Sequence, residues 1–472
     1  MRASAVVEKA GVPVVPLICE SFVRGAHAVA GGIGFPNMPI AMIPGHVDAQ
    51  TWDELKTNIE TVTLPQVITG LTGQVIQSEG ESPEPAPTDI VFRGSYEEVN
   101  KFFVSRGWSD SLPIVPPTRE KIDRFLSFTN RPPEEVIGVL LPDSRQATIW
   151  NTAVNGVMAG CRPEYMPVLV ALTEAMTDPQ YGVEHSGNTP GSETLITLNG
   201  PVIKELDFNY EQGALRDGFQ ANTTVGRFWR LMLRNVAGFH LHRTDMATFG
   251  GTWRVVLAEN EDVIARIGWE PLSVDQGFKA GDNVLTVARH VSGGVITGAY
   301  GQKAEEILVY IADRLAGYMG WEIWFTVLPR PAISCSQRPH LILTPVLAET
   351  IAKSGWSKQD VKQYLYDHAR IPAWKVEKYN WGWTNFAPDH VSLCDYVKEG
   401  ALAPQFCESE DPDRMVPIVC SPDDFVVTVS GDPYRTNAFI FISNGCLGYT
   451  TSKRIELPDN WSEKLKTSKM RY

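Results

Sequence analysis

Helix and strand patterns alternate over the first 75 residues, and this alternation constrains the fold more than any other feature of the chain. The helix patterns cover residues 3–10 and 21–30, and the apolar strand patterns cover residues 12–18 and 38–43. Thr51 then offers an N-cap for a third helix. Strands that alternate with helices form parallel sheets. Residues 1–76 are therefore predicted to form a small parallel α/β unit of the Rossmann or flavodoxin type.

Two candidate catalytic residues, Glu20 and His46, follow the predicted strands of this unit. Open α/β sheets bind their ligands at the carboxyl ends of the strands, which here carry Cys19-Glu20 and Gly45-His46. The unit has no opening strand, because its pattern begins inside a helix. We therefore expect either a biological start upstream of Met1 or a homo-oligomer or partner subunit that completes the sheet.

A polar, proline-rich segment at residues 77–89 is predicted to be a linker, with an exposed loop inside one domain as the alternative. Residues 90–472 then alternate helix patterns with apolar strand patterns. They predict a second, larger α/β domain.

Composition restricts the location and the partners of the protein. A net charge of −13 disfavours nucleic-acid and anionic-membrane partners, and no apolar run reaches the length of a membrane-spanning helix. The seven cysteines are scattered and form no CxxC pair. The N-terminus does not have the pattern of a signal peptide. These features predict a cytoplasmic protein with reduced thiols.

Cys161 is the leading candidate for a reactive thiol. A helix pattern ends at Ala159-Gly160, and Cys161-Arg162 opens a second apolar helix. A helix N-terminus and a neighbouring guanidinium both stabilise a thiolate. Cys161 is therefore expected to react with iodoacetamide before the other cysteines, and a buried structural cysteine is the alternative.

Three further groups of residues have patterns typical of binding or catalysis. His185 lies in a loop rich in Gly, Ser and Thr, where catalytic residues are common. Asn222 and Arg227 accompany a turn that opens a helix, with Asn222 as the predicted cap, and this arrangement predicts an anion site. A solvated arginine face is the alternative.

His240 and His242 are predicted to share one face of a strand, and Glu259 follows a second strand. Imidazoles and a carboxylate are ligands for zinc, iron or manganese, so a divalent metal is the candidate cofactor. The spacing matches no established metal motif.

Short motifs distributed along the chain point to a family. They are GVPVV at 11–15, GWSD at 107–110, LPIVPPT at 112–118, AGCRPEY at 159–165, NGP at 199–201, ANTTVGR at 221–227 and WEPL at 269–272. In these motifs the chain resembles the UGSC-type (seleno)protein family, named for a selenocysteine-Gly-Ser-Cys motif. The resemblance implies thiol or selenol chemistry and would place the redox motif just before Met1, so Met1 is expected not to be the biological start.

These observations lead to a functional hypothesis. The chain is expected to be a thiol- or selenol-dependent oxidoreductase or reductive lyase that binds a small anionic molecule between its two domains, with Cys161 as resolving thiol. The anionic group would be held by Arg162, Asn199, Asn222 and Arg227. The alternatives are a metal-dependent lyase or hydrolase that uses the His and Glu residues, and a non-catalytic subunit that presents a substrate to a partner.

Overall fold

The computed structural model describes residues 1–73, 85–251, 255–318, 338–382, 391–443 and 448–469. Most of the predicted linker, residues 77–84, lies outside the described residues. The chain divides into two compact units. The first comprises Met1–Gly191, Arg227–Gly250 and Leu457–Tyr472, and the second comprises Ser192–Gly226 and Gly251–Glu456. The first unit therefore contains both the N-terminal segment and part of the predicted large domain.

The N-terminal segment is the predicted parallel α/β arrangement. Its elements are α1 (Arg2–Lys9), β1 (Leu17–Cys19), α2 (Val23–Gly32), β2 (Ala41–Ile43), α3 (Trp52–Asn58) and α4 (Leu64–Thr72). β1 and β2 pair in parallel, with Leu17 opposite Ala41. β1 is shorter than predicted, because Pro13 and Pro16 have no N–H for a sheet ladder. Thr51 forms a capping box with Glu54, which accounts for the start of α3.

The rest of the first unit is a helical core with one hairpin. It contains α5 (Tyr96–Ser105), α6 (Arg119–Leu126), β3 (Val136–Leu140), β4 (Arg145–Thr148), α7 (Ile149–Ala159), α8 (Met166–Thr177) and the last helix, Trp461–Lys469. β3 and β4 pair antiparallel. α7 begins at the capping box of Thr148 and Asn151 and ends at Gly160, whose φ is +83°. Both α7 and α8 are almost entirely buried, as their apolar sequences require.

The second unit is built on a mixed seven-stranded sheet. Its strands are β5 (Glu193–Asn199), β6 (Val256–Ala258), β7 (Val284–Ile296), β8 (His340–Leu343), β11 (Val426–Val429), β12 (Ala438–Ser443) and β13 (Thr451–Arg454). The order is β11-β8-β12-β7-β5-β6, and β13 also pairs with β7. The pairs β11–β8 and β5–β6 are parallel, whereas the other pairs are antiparallel. A separate antiparallel pair joins β9 (Arg370–Pro372) and β10 (Met415–Pro417).

Helices surround this sheet, so the predicted α/β class is confirmed. They are α9 (Val202–Glu205), α10 (Gln220–Met232), Glu261–Ile267, Leu272–Asp275, Ala304–Tyr318, Pro345–Lys353, Lys358–His368, Ala373–Gly382 and Leu393–Lys398. α10 begins in the second unit and ends in the first. Within the described residues, no helix is both long and apolar enough to cross a bilayer.

One pair of cysteines differs from the expectation of reduced thiols. Cys394 and Cys407 form a disulfide, whereas Cys19, Cys161 and Cys420 are not disulfide-bonded. The two bonded residues are 13 positions apart, and their proximity depends on tertiary folding that the spacing of cysteines does not encode.

Two histidines are buried in the second unit. The rings of His290 on β7 and His340 on β8 lie 6.2 Å apart, and the Nε2 atom of His340 is 2.8 Å from the Thr428 hydroxyl. Burial lowers the pKa of both imidazoles, that of His340 to about 3.

We predict that the free energy of unfolding falls as the pH drops below about 6.5. Unfolded histidines take up protons there while these two stay neutral, so the unfolded state gains about 1.4 kcal/mol per histidine for each pH unit. Urea denaturation between pH 7.5 and 5.5 measures the slope. His340→Gln should reduce it, whereas the same change at the exposed His27 should not. Equal slopes in all three proteins would contradict the prediction.

Candidate functional site

The carboxyl ends of β1 and β2 bring the two N-terminal candidates to one sheet edge. The Gly45 N–H donates to the Glu20 carboxylate at 3.1 Å, and the His46 ring lies 6.1 Å from the Phe22 ring. His46 Nδ1 accepts the Asp48 N–H at 3.2 Å. Cys19, a partly exposed free thiol, ends β1 beside Glu20. A thiol, a carboxylate and an imidazole thus lie along one edge, and their catalytic roles stay predictions.

Cys161 lies at the predicted junction between two helices, but its thiol is buried. Its N–H donates to the Gly156 carbonyl at 3.1 Å, and the residue is 8% exposed. The Arg162 guanidinium packs 4.9 Å from the Tyr165 ring centroid and lies 3.1 Å from the fully buried Glu164 carboxylate. Burial raises the pKa of Tyr165. Arg162 therefore contributes to the packing of this junction, whatever else it binds.

His185 and His240 lie on two loops that are hydrogen-bonded to each other. The Met246 N–H donates to the Gly187 carbonyl at 3.0 Å, and the Thr248 N–H donates to the Thr189 carbonyl at 2.9 Å. Beside His185, the Glu184 carboxylate pairs with Arg2 at 2.6 Å. The loop that carries His185 thus contacts both the start of α1 and the loop that carries His240.

The predicted strand at His240 and His242 is wrong, because the chain turns there. The His240 carbonyl accepts the N–H groups of Arg243, Thr244 and Asp245, and His242 has a φ of +64°. His240 is half-buried and His242 is exposed, so the two rings do not share a strand face.

Metal binding by His240, His242 and Glu259 stays a prediction. The two histidines belong to the first compact unit and Glu259 to the second. Across the described ranges, no group of three or more His, Cys, Asp or Glu side chains is arranged to hold a metal ion.

Three arginines, Arg145, Arg234 and Arg243, have charges that act on the His240 imidazole, and we term them the arginine cluster. The Asp143 carboxylate lies 3.6 Å from Arg145 Nη2 and 3.7 Å from Arg243 Nη2. Arg145 also donates to the Asn235 carbonyl at 3.2 Å, and Arg234 to the Gly107 carbonyl at 3.5 Å.

The positive charges of the arginine cluster affect the pKa of His240. Burial lowers the pKa of His240, and the charges of Arg234, Arg243 and Arg145 lower it further. The sequence patterns did not select Arg145 and Arg243, because these residues are nearly a hundred positions apart and follow no motif.

Asn222 and Arg227, predicted to bind an anion, have protein partners. Asn222 is not a helix cap but lies within α10. Its side-chain oxygen accepts the Asn209 N–H, and its side-chain nitrogen donates to the carbonyls of Asn209 and Val256. Arg227 makes a bidentate pair with Asp110 at 2.8 and 3.1 Å and donates to the Pro113 carbonyl at 3.0 Å.

Asn199 and Glu259 brace the strand ends of the second unit. Asn199 donates to the Glu259 carboxylate at 2.7 Å, and the Leu272 N–H donates to it at 2.8 Å. Glu259 is fully buried, and this burial raises its pKa, partly offset by Lys358 and by those two donors. The geometry gives both residues structural tasks, and their ligand-binding roles stay predictions.

Comparison with known families identifies one part of the chain. Residues 1–73 match the model of the UGSC family. The resemblance predicted from the sequence is therefore confirmed over this segment, while the motifs between residues 107 and 272 lie beyond it. No curated protein and no solved structure matches the chain. We call residues 1–73 the UGSC segment.

The UGSC segment packs through α2 against the loops that carry the arginine cluster. A Cβ on Gly25 would lie 2.9 Å from the Arg243 carbonyl oxygen, and one on Gly32 would lie 2.2 Å from the Pro142 carbonyl oxygen. Both contacts are with backbone, so helix and loops approach as closely as glycine allows. The first unit therefore holds the UGSC segment, the His185 loop and the arginine cluster together.

The Arg227–Asp110 pair provides a test of whether Arg227 binds ligand or stabilises the fold. The Asp110 side chain is nearly buried, so Arg227→Ala removes the guanidinium that balances the charge of a buried carboxylate. We predict a loss of about 3 kcal/mol in the free energy of unfolding, measured by urea denaturation. Asp110→Asn in the same protein should restore much of it. Unchanged stability together with tenfold weaker anion binding would instead support the predicted ligand role.

Proposed function

We propose that the protein is a thiol- or selenol-dependent oxidoreductase or reductive lyase that acts on a small anionic molecule. The observation that supports this most is the packing of the UGSC segment against the arginine cluster through Gly25 and Gly32 of α2. The family resemblance suggests the thiol chemistry, and the cluster supplies cations for an anionic substrate. The proposal includes the cytoplasm as the location, because a nucleophilic Cys19 needs a compartment in which thiols outside disulfides stay reduced.

In this proposal Cys19 is the nucleophile of the UGSC segment. Its sulfur forms a bond to an electrophilic atom of the substrate, and the leaving group departs with the electron pair of the broken bond. An external thiol then attacks the Cys19 sulfur, releases the reduced product and leaves a disulfide, which a second external thiol reduces. Glu20 and His46, at the same sheet edge, are suited to move the protons.

Cys161 and His185 have supporting roles in the proposal. Cys161 is proposed as the resolving thiol, which attacks the Cys19 sulfur in place of the first external thiol, and its burial shields it from bulk reagents before that step. His185 lies on the loop bonded to the His240 loop, where an imidazole could protonate a leaving group. A partner subunit or a second copy of the chain remains part of the proposal for completing the two-stranded N-terminal sheet.

Alkylation with one anionic and one neutral reagent tests both the reactivity of the thiol and the attraction of an anion to its surroundings. Iodoacetate and iodoacetamide carry the same reactive carbon and differ in charge, and a chain of net charge −13 should generally disfavour iodoacetate. We predict that Cys19 reacts with iodoacetate at least as fast as with iodoacetamide, whereas Cys161 reacts slowly with both because it is buried. Mass spectrometry after timed labelling gives each rate.

Cys420 is the internal control, because burial raises the pKa of its thiol to about 12. A preference for iodoacetamide at both Cys19 and Cys161 would contradict thiol chemistry on an anion and favour the non-catalytic binding subunit.

A turnover assay completes the test. Cys19→Ser should abolish the dithiothreitol-dependent reduction of small halogenated or thioether carboxylates, and Cys420→Ser should retain it.

A further inference from the structure

We infer that the neutral His46 ring presents its Nε2–H as a fixed hydrogen-bond donor to the leaving group of the substrate, and that Gln50 positions this donor. The inference deepens the proposed function, on which it rests for the reaction itself. It divides the tasks of two groups at the carboxyl edge of the N-terminal sheet, because Glu20 keeps the proton transfer and His46 stabilises negative charge. This division narrows the class of substrate.

The first step is the tautomer of the ring. His46 Nδ1 accepts the Asp48 N–H at 3.2 Å, so in the neutral ring Nδ1 carries the lone pair and Nε2 carries the proton. The Asp48 carboxylate lies 3.6 Å from Nδ1, which is too long for a hydrogen bond. The other tautomer would set two N–H groups against each other. The backbone at Asp48 therefore selects the Nε2–H form.

This tautomer excludes two common tasks of a histidine at Nε2. A general base needs a lone pair on the reacting nitrogen, and Nε2 has none in this form. A general acid would end in the Nδ1–H form after it gave up its Nε2 proton, and the Asp48 N–H opposes that form. The remaining task is to donate a hydrogen bond to charge that develops on a substrate.

The donor is open to a ligand. Across the residues that the structure describes, His46 Nε2 bonds no protein atom, and the side chain is 45% exposed. The ring lies at the carboxyl ends of β1 and β2, the edge where open α/β sheets bind ligands and where Cys19 ends β1.

Gln50 clamps the backbone around this ring. Its side-chain nitrogen donates to the carbonyls of Pro44 and His46 at 2.7 and 3.1 Å. Asn58 of α3 in turn donates to the Gln50 side-chain oxygen at 2.6 Å. One amide thus bonds the carbonyls on both sides of residue 45, and a helix holds that amide in place.

Gly45 and Glu20 complete the clamp. The φ of Gly45 is +66°, and a Cβ there would lie 3.2 Å from the Gln50 amide nitrogen. The Glu20 carboxylate accepts the Gly45 N–H at 3.1 Å. Gly45 and His46 are exposed, so these bonds fix a surface turn rather than a core. Such support from neighbouring side chains is what holds a reacting group in one geometry.

A donor that keeps its proton restricts the leaving group. The Cys19 sulfur forms its bond to a substrate carbon, and the bond from that carbon to the leaving group breaks. The electron pair departs with the leaving group as an anion, which accepts the His46 hydrogen bond, and the thiol proton passes to Glu20. Halides and thiolates are weakly basic and depart in this way, whereas alkoxides and amines need a proton. The inference thus selects halogenated or thioether carboxylates.

Nitrogen NMR of the full chain with isotope-labelled histidine reads the tautomer at pH 8.5. His46→Asn identifies the resonances, because the Asn oxygen can still accept the Asp48 N–H and keep the turn. The wild-type ring should carry its proton on Nε2. Gln50→Ala should mix the two tautomers because it frees the turn, whereas Thr57→Ala, at an exposed residue beside Asn58, should not. A wild-type proton on Nδ1, or an unchanged tautomer in Gln50→Ala, would overturn the inference.

Dithiothreitol-dependent turnover of 2-bromopropionate and 2-chloropropionate tests the donor. His46→Asn should lower kcat about a hundredfold with KM unchanged, and Gln50→Ala should lower it about tenfold. The loss in His46→Asn should be larger for chloride, the poorer leaving group, and equal losses would overturn the donor role. Absence of Cys19-dependent turnover with the Nε2–H tautomer present would reject the proposed function and keep the positioning by Gln50. Turnover with the His46 proton on Nδ1 would do the reverse.

Discussion

The contact between Gly238 and Asp143 is the constraint on which the arrangement of the first unit depends. The Asp143 carboxylate occupies the space that a side chain at position 238 would need, since a Cβ there would lie 2.2 Å from the carboxyl carbon. Gly238 also has a φ of +90° and follows the π-helical turn that carries Arg234. With the carboxylate in this place, Arg145 and Arg243 approach from two distant parts of the sequence. The carboxylate therefore lies between two like charges that repel each other.

The polar residues around the candidate sites divide into two groups. Asn199, Asn222, Arg227 and Glu259 were attractive candidates as ligand binders, yet each bonds other parts of the fold. Burial explains this, because a buried amide or charge must find a partner, and strand ends and helix starts supply unpaired backbone groups. The arginine cluster belongs to the other group, in which one carboxylate is shared between two cations that reach solvent.

Local patterns predict the helices of this chain better than its site. The capping boxes at Thr51 and Ser357 and the left-handed Gly160 are encoded within a few residues, so α3, Lys358–His368 and the end of α7 could be predicted. The turn at His240 could not, because the Thr244 hydroxyl and the Gly238 carbonyl stabilise it against the apolar alternation of a strand. The arginine cluster and the Cys394–Cys407 bond depend on long-range contacts for which one sequence holds no periodic signal.

Small residues of α2 contribute to the docking of the UGSC segment, in addition to the Arg2–Glu184 ion pair. Gly25 and Gly32 are seven residues apart, which is about two turns of α2, so they lie on the same face of the helix. One meets the backbone of the His240 loop and the other meets the backbone beside Asp143. The same helix face therefore contacts the loop that carries Arg243 and the loop that precedes Arg145. The segment that the family resemblance associates with thiol chemistry therefore contacts both loops that carry the cations of the proposed function, and one helix face joins the two halves of that proposal.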